Sequence, residues 1–135
     1  MFVDTSALYA AAATRDQWHA VATRTLRALR RERASLVTSE FVLLETYVLT
    51  HARTGRVGLL RMRQALQASS WLHAVAVPPA WQDDAWAMLE RHADKEWSYV
   101  DATSFVAMQR LGVDTALAFD AHFRQAGFTL AHARP

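Results

Sequence analysis

The chain alternates between short apolar runs and longer stretches whose apolar residues recur at helical spacing. The first run, Phe2-Val3, is cut off by Asp4, Thr5 and Ser6. An apolar run stopped by an acid and two hydroxyls reads as a short buried strand whose carboxyl end opens on a site. A helix over 7–13 is expected next, and Asp4 or Ser6 has the chemistry to cap it. Trp18, Val21, Ala22, Thr25, Leu26 and Leu29 share one face of a helix expected from Gln17 to Arg33, with Thr14 or Asp16 as its cap. Ser35 to Val37 is a second strand, ended by Thr38-Ser39. The segment from Glu40 to Thr50 is apolar on nearly every side and predicts a buried helix, with Glu45 as the acid inside it. Gly55 to Ser69 then reads as the second helix of a hairpin. Leu59, Leu60 and Leu66 should face inward there, with Met62 a further candidate.

Trp71 to Val77 is a strand candidate stopped by Pro78-Pro79, and Pro79 suits a helix start. The stripe of that helix is Trp81, Ala85, Met88, Leu89 and His92. Ser98-Tyr99-Val100-Asp101 matches a capping box ahead of an apolar helix from Tyr99 to Leu111, and Gly112 is placed to end it. Thr115 to Phe119 is a last buried strand running into Asp120. His122 and Phe123 open a short helix, and Phe128 to Leu130 reads as an edge strand. Strands alternating with helices predict an α/β fold with an open parallel sheet of four or five strands flanked by helices. Residues 1–135 suit one domain with a real core.

Composition narrows the classes further. Hydrophobic residues make up 52% of the chain, which excludes a disordered polymer. No apolar stretch is long enough to cross a bilayer, and the first residues lack a signal-peptide pattern. Cysteine is absent, so disulfides and thiolate metal sites are excluded. A cytoplasmic location, away from any membrane, is the expectation. The net charge is +2, and Lys95 is the sole lysine among 15 basic residues. Arginine suits bidentate phosphate contacts, so the arginines of the 17–33 and 53–63 segments are either a solvated face or a nucleic-acid-facing one.

Four acids sit against apolar elements. Asp4 and Asp120 end strands, Glu45 follows the second strand, and Asp101 opens a late helix. Each has an ordinary alternative: a cap for Asp4 and Asp101, a salt bridge for Glu45. In a right-handed parallel sheet all four can project at the carboxyl edge, where ligands bind. Their mutual repulsion would be relieved by protons or by a hard divalent cation such as magnesium or manganese. His122 has no partner histidine at a convincing spacing, and reads as structural or phosphate-contacting.

The chain resembles PIN-domain proteins, in particular the toxin ribonucleases of VapBC-type toxin–antitoxin pairs. The resemblance rests on Val3-Asp4-Thr5-Ser6-Ala7, on Thr38-Ser39-Glu40-Phe41 with Glu45, on Ser98-Tyr99-Val100-Asp101-Ala102, and on Ala118-Phe119-Asp120-Ala121-His122-Phe123. It covers nearly the whole chain. It implies metal-dependent endonucleolytic hydrolysis of RNA, with Mg2+ or Mn2+ as cofactor. Asp4, Glu45, Asp101 and Asp120 match the family's catalytic and metal-binding acids. Asp4 and Asp101 are the first-choice direct ligands, and Thr5 and Ser6 are supporting hydroxyls, Thr5 the better placed to orient a carboxylate. A small cognate antitoxin and a homodimer are implied as partners. A stand-alone RNA-processing nuclease, or a scaffold that binds RNA or metal without cutting, remains an alternative. A phosphatase that starts from a strand-end acid wants a second Asp two residues on, where this chain has Ser6.

Overall fold

The computed structural model describes residues 1–131. Five parallel strands form one sheet: β1 (Phe2–Val3), β2 (Leu36–Ser39), β3 (Leu72–Val75), β4 (Thr115–Leu117) and β5 (Thr129–Leu130). Their order across the sheet is β3-β2-β1-β4-β5. The helices are α1 (Thr5–Ala12), α2 (His19–Arg31), α3 (Glu40–Gln67), α4 (Pro79–Arg91), α5 (Tyr99–Leu111) and α6 (His122–Gln125). The chain steps outward from β1 to β2 and β3, then returns to the far side of β1 for β4. That reversal is a topological switch point, where the carboxyl ends of open α/β sheets leave a crevice. β1 is central, and Phe2 and Val3 are fully buried, which is why its pattern is apolar without alternation.

α5 is the helix around which the core closes. Every residue from Asp101 to Met108 is buried. Phe105 stands edge-on to Phe123 at 5.0 Å and to Trp97 at 5.1 Å. The small residues Ala102 and Ala107 let the helix approach its neighbours closely. The hydroxyls of Thr103 and Ser104 donate to the Val100 carbonyl, so their burial leaves no donor unpaired. The capping box forms as the sequence predicts: Ser98 Oγ accepts from the Asp101 amide at 3.0 Å, and Asp101 Oδ2 accepts from the Ser98 amide at 2.8 Å. Gly112 ends the helix with a left-handed φ of 65°.

α3 departs from expectation. It is not buried on all sides: Leu44 and Val48 are 60% and 62% exposed. Its inward face carries Val42, Thr46 and Thr50 instead. Each of these threonine hydroxyls donates to the carbonyl four residues back, at 2.7 Å, so the face is polar in sequence but satisfied within the helix. The expected hairpin is also absent. Two helical halves meet at a kink at Gly55 (φ 71°, ψ −168°), with no loop between them. Met62 is the buried residue of the second half, and Leu60 is 55% exposed. The strand expected over 71–77 is shorter, Leu72–Val75. It lies at the sheet edge, and His73 and Ala74, which point to opposite faces, are both exposed. No helix among the described residues is long and apolar enough to cross a membrane.

Candidate active site

At the switch point Asp4 follows directly on β1; the strand expected over 115–119 stops at Leu117, and Asp120 lies beyond it in the loop ahead of α6. The chain turns into α1 directly after Val3, so Asp4 becomes the cap of α1. Its Oδ2 accepts from the Ser6 amide at 3.0 Å and from Ser6 Oγ at 2.7 Å. Ser6 Oγ in turn accepts from the Phe119 amide at 3.0 Å, which latches the end of β1 to the end of β4. Asp4 is 4% exposed, and among the described residues it has no ion pair. Burial pushes its carboxyl up to about 7; the two bonds from Ser6 oppose that rise, and the charges of Asp120 and Asp101 add to it. Asp4 is thus both a cap and the buried acid of the cleft.

Thr5 points the other way around the same turn. Its hydroxyl donates to Glu45 Oε2 at 2.6 Å, joining α1 to α3. Burial raises the Glu45 carboxyl above its ordinary value; the Thr5 bond works against the shift, and Asp101 and Asp120 reinforce it. No arginine neutralises Glu45, so the salt bridge that its sequence context allowed does not form among the described residues. Both hydroxyls of the Thr5-Ser6 pair therefore hold a carboxylate, not Thr5 alone.

On the opposite wall, Asp101 Oδ2 accepts from the Ser98 amide and also from His122 Nδ1 at 2.8 Å. A carboxylate can only accept, so Nδ1 carries the proton and Nε2 is left for another partner. Asp120 Oδ1 accepts from the His122 amide at 2.9 Å, which turns the imidazole back toward the cleft. Asp101, Asp120 and His122 each offer a ligand atom, all within 4.8 Å of one another. Asp4 and Glu45 stand outside that tight group but feel the charges of Asp101 and Asp120. Sequence reasoning takes His122 as structural or phosphate-contacting and does not join it to the acids. Its partner lies 21 positions away on a different element, and only its adjacency to Asp120 hinted at the site.

The donor set is carboxylate oxygen with one imidazole. Such a set suits a hard or borderline divalent cation, and Asp4 is buried with no ion pair among the described residues. The residues present therefore fit the kind of cofactor expected from the sequence.

Acids gathered at the switch point of a 3-2-1-4-5 parallel sheet, tied together by the hydroxyls after β1, define a PIN domain, and the chain belongs to that family over residues 1–129. Among its relatives is the 23S rRNA-specific endonuclease VapC20 of Mycobacterium tuberculosis, 35% identical over 128 residues and covering 95% of each chain. The crystal structure of VapC20, described as a sarcin-ricin loop cleaving toxin, superposes with a TM-score of 0.84 at 36% identity over 95% of each chain. FitAcB from Neisseria gonorrhoeae, 13% identical, shares the fold with a TM-score of 0.70 over 99% of each chain.

Proposed function

We infer that this chain is an endoribonuclease that hydrolyses RNA phosphodiester bonds and serves as the toxin of a type II toxin–antitoxin pair. One observation carries the reading: Asp4, buried and with no ion pair among the described residues, lies within electrostatic reach of Asp101 and Asp120 at the carboxyl edge. Buried like charges of this kind are costly to keep unless a ligand compensates them. The likeness to VapC20 supplies the substrate class, and makes large-subunit ribosomal RNA the first target to test. The 1–135 chain works as one nuclease domain in the cytoplasm.

Asp4 and Asp101 would be the direct ligands for Mg2+ or Mn2+, with Asp120 and Glu45 completing the acidic set. When bound, the divalent ion neutralises charge on phosphoryl oxygens and lowers the pKa of a water. Ser6 holds the Asp4 carboxylate toward the cleft, and Thr5 does the same for Glu45. Burial raises the proton affinity of Glu45, which suits it to accept a proton from the attacking water. His122, its Nδ1 proton held by Asp101, would use Nε2 to contact a substrate phosphate.

A small antitoxin is the partner that this cleft suits, because an arginine or lysine placed among the carboxylates would block it. Leu44, Val48, Val57 and Leu60, each more than half exposed on α3, support self-association as a homodimer. The deciding experiment is cleavage of an RNA panel, including a large-subunit rRNA fragment, with and without added magnesium or manganese. Metal-dependent scission by the wild type that Asp101→Asn abolishes is the expected result. Intact RNA across the panel at saturating metal overturns the reading.

A further inference from the structure

The acids occupy one edge of the sheet; the densest positive charge lies at the other. Helix α2 spans the distance between them. Just before its amino end, Trp18 stacks on Phe119 with ring centroids 5.0 Å apart and planes 4° from parallel. Phe119 precedes Asp120, so this end adjoins the catalytic edge. Thirteen residues at 1.5 Å each carry the helix roughly 20 Å away. Its carboxyl end leads into β2 at Leu36, on the amino edge of the sheet. The Arg30 guanidinium confirms that placement: it lies 5.4 Å over the ring of Trp71, the residue that leads into β3.

Arg24, Arg27, Arg30, Arg31 and Arg33 are all exposed. None forms an ion pair with a described residue, and Glu32 is the one acid in the stretch. The spacing of Arg24, Arg27 and Arg31 sets them in a stripe down one face, while Ala22 and Leu26 face the core. Arg27, Arg30 and Arg31 line a shallow concavity of about 340 Å³. The helix dipole favours cations in the last turn and so accounts for Arg30 and Arg31, but not for Arg24 and Arg27. Guanidinium groups left unpaired along one face match the repeated phosphates of a backbone.

We propose that this arginine face of α2 is a second docking site for the RNA phosphodiester backbone, remote from the acids, so that a good substrate reaches from the catalytic edge along α2 to the opposite edge. The proposal rests on the nuclease reading for the identity of its ligand. A polymer is favoured over a free anion because the stripe is extended along a helix whose amino end adjoins the catalytic edge.

The test uses the full chain and the triple variant Arg24→Gln/Arg27→Gln/Arg31→Gln, which keeps Arg30 on Trp71. Two RNAs are compared: a folded one long enough to cover both edges, and a short oligonucleotide carrying only the cleavage sequence. Binding is followed by fluorescence anisotropy in chelator across a salt series. Each lost phosphate contact flattens the slope of log K against log salt by roughly 0.7–0.9, so the long RNA should lose about two units of slope and bind about tenfold more weakly. The short RNA should bind both proteins alike. With metal added, KM for the long RNA should rise at constant kcat, and the melting temperature should not move. Equal weakening for both RNAs, or none for either, overturns the docking site. A changed slope with no RNA ever cut keeps the docking site and defeats the nuclease reading; cleavage with an unchanged slope does the reverse.

Discussion

Replacing Asp4 by Asn should stabilise the metal-free protein, and the gain should grow with pH. The carboxyl has an ordinary value of 3.8 and is raised to about 7 in the fold. For an acid whose folded pKa is raised, the unfolded chain gives up its proton first as pH climbs. Folding stability therefore falls from about pH 4 upward and levels off once the folded carboxyl ionises near pH 7. At about 1.36 kcal/mol for each pH unit between those two values, the penalty comes to about 4 kcal/mol at pH 8, and under about 2 kcal/mol at pH 5. Asn carries no charge, and its carbonyl can still accept from the Ser6 amide and hydroxyl, so the variant escapes the penalty while keeping the turn. The full figure is a ceiling, since an amide carbonyl accepts more weakly than a carboxylate. Urea unfolding in chelator, run for both proteins from about pH 5 to about pH 8, measures the difference. A gain of the same size at every pH, or a loss at the alkaline end, would refute the claim that Asp4 is a desolvated charge. Saturating divalent metal should close the gap by stabilising the wild type, by about 2.7 kcal/mol at a hundred times Kd.

Asp4→Asn and Asp101→Asn should each lower RNA cleavage by at least about a hundredfold with unchanged circular dichroism, the scale of losing a group that stabilises charge in the transition state; near wild-type turnover by a folded variant counts against the assignment. Ser6→Ala should cost about 1–3 kcal/mol by leaving the Phe119 amide and an Asp4 oxygen short of a partner. It should also move the acid limb of the pH–rate profile upward, because the Ser6 bonds hold the Asp4 pKa down; an unshifted limb would show that Asp4 ionisation does not gate the rate. Gly55→Ala should destabilise by about 1 kcal/mol or more, since φ 71° suits glycine, and a melting temperature equal to wild type would argue that the kink is not fixed. Leu44→Glu/Val48→Glu should give a monomer by light scattering if α3 carries the dimer contact, and an unchanged mass would move that contact elsewhere.

The parts of the fold that were legible from sequence are those fixed by local rules. β1 reads from its first few positions because a central parallel strand is apolar on both faces. α5 reads to the residue because Ser98, Asp101 and Gly112 are cap chemistry with a defined spacing. α3 misleads because its pattern gives hydrophobicity but not direction: Leu44 and Val48 face outward while Thr46 and Thr50 face the core, their hydroxyls satisfied by the helix itself. The break at Gly55 is visible as a glycine, but not as a kink without a loop. Within the site, Asp4 and Asp120 read as strand-end acids, Asp101 as a helix-start residue and Glu45 as the acid inside an apolar helix. Their connections were not legible, because Thr5 reaches Glu45 across 40 positions and His122 reaches Asp101 across 21. Nothing periodic marks such pairs; they exist only once the sheet brings the elements together.

The carboxylate of Asp101 closes the amino end of α5 and also faces the cleft, whereas Asp4 strains the fold in which it sits. The two acids would therefore fare differently if selection for cleavage were ever relaxed. Drift would find neutral capping residues such as Asn or Ser favourable at position 4, because they relieve the buried charge and can still accept from the Ser6 amide. Asp101 would persist as a helix cap, leaving a chain with an intact α5 and a dead cleft. A lineage that has lost the activity should thus show erosion at position 4 before position 101.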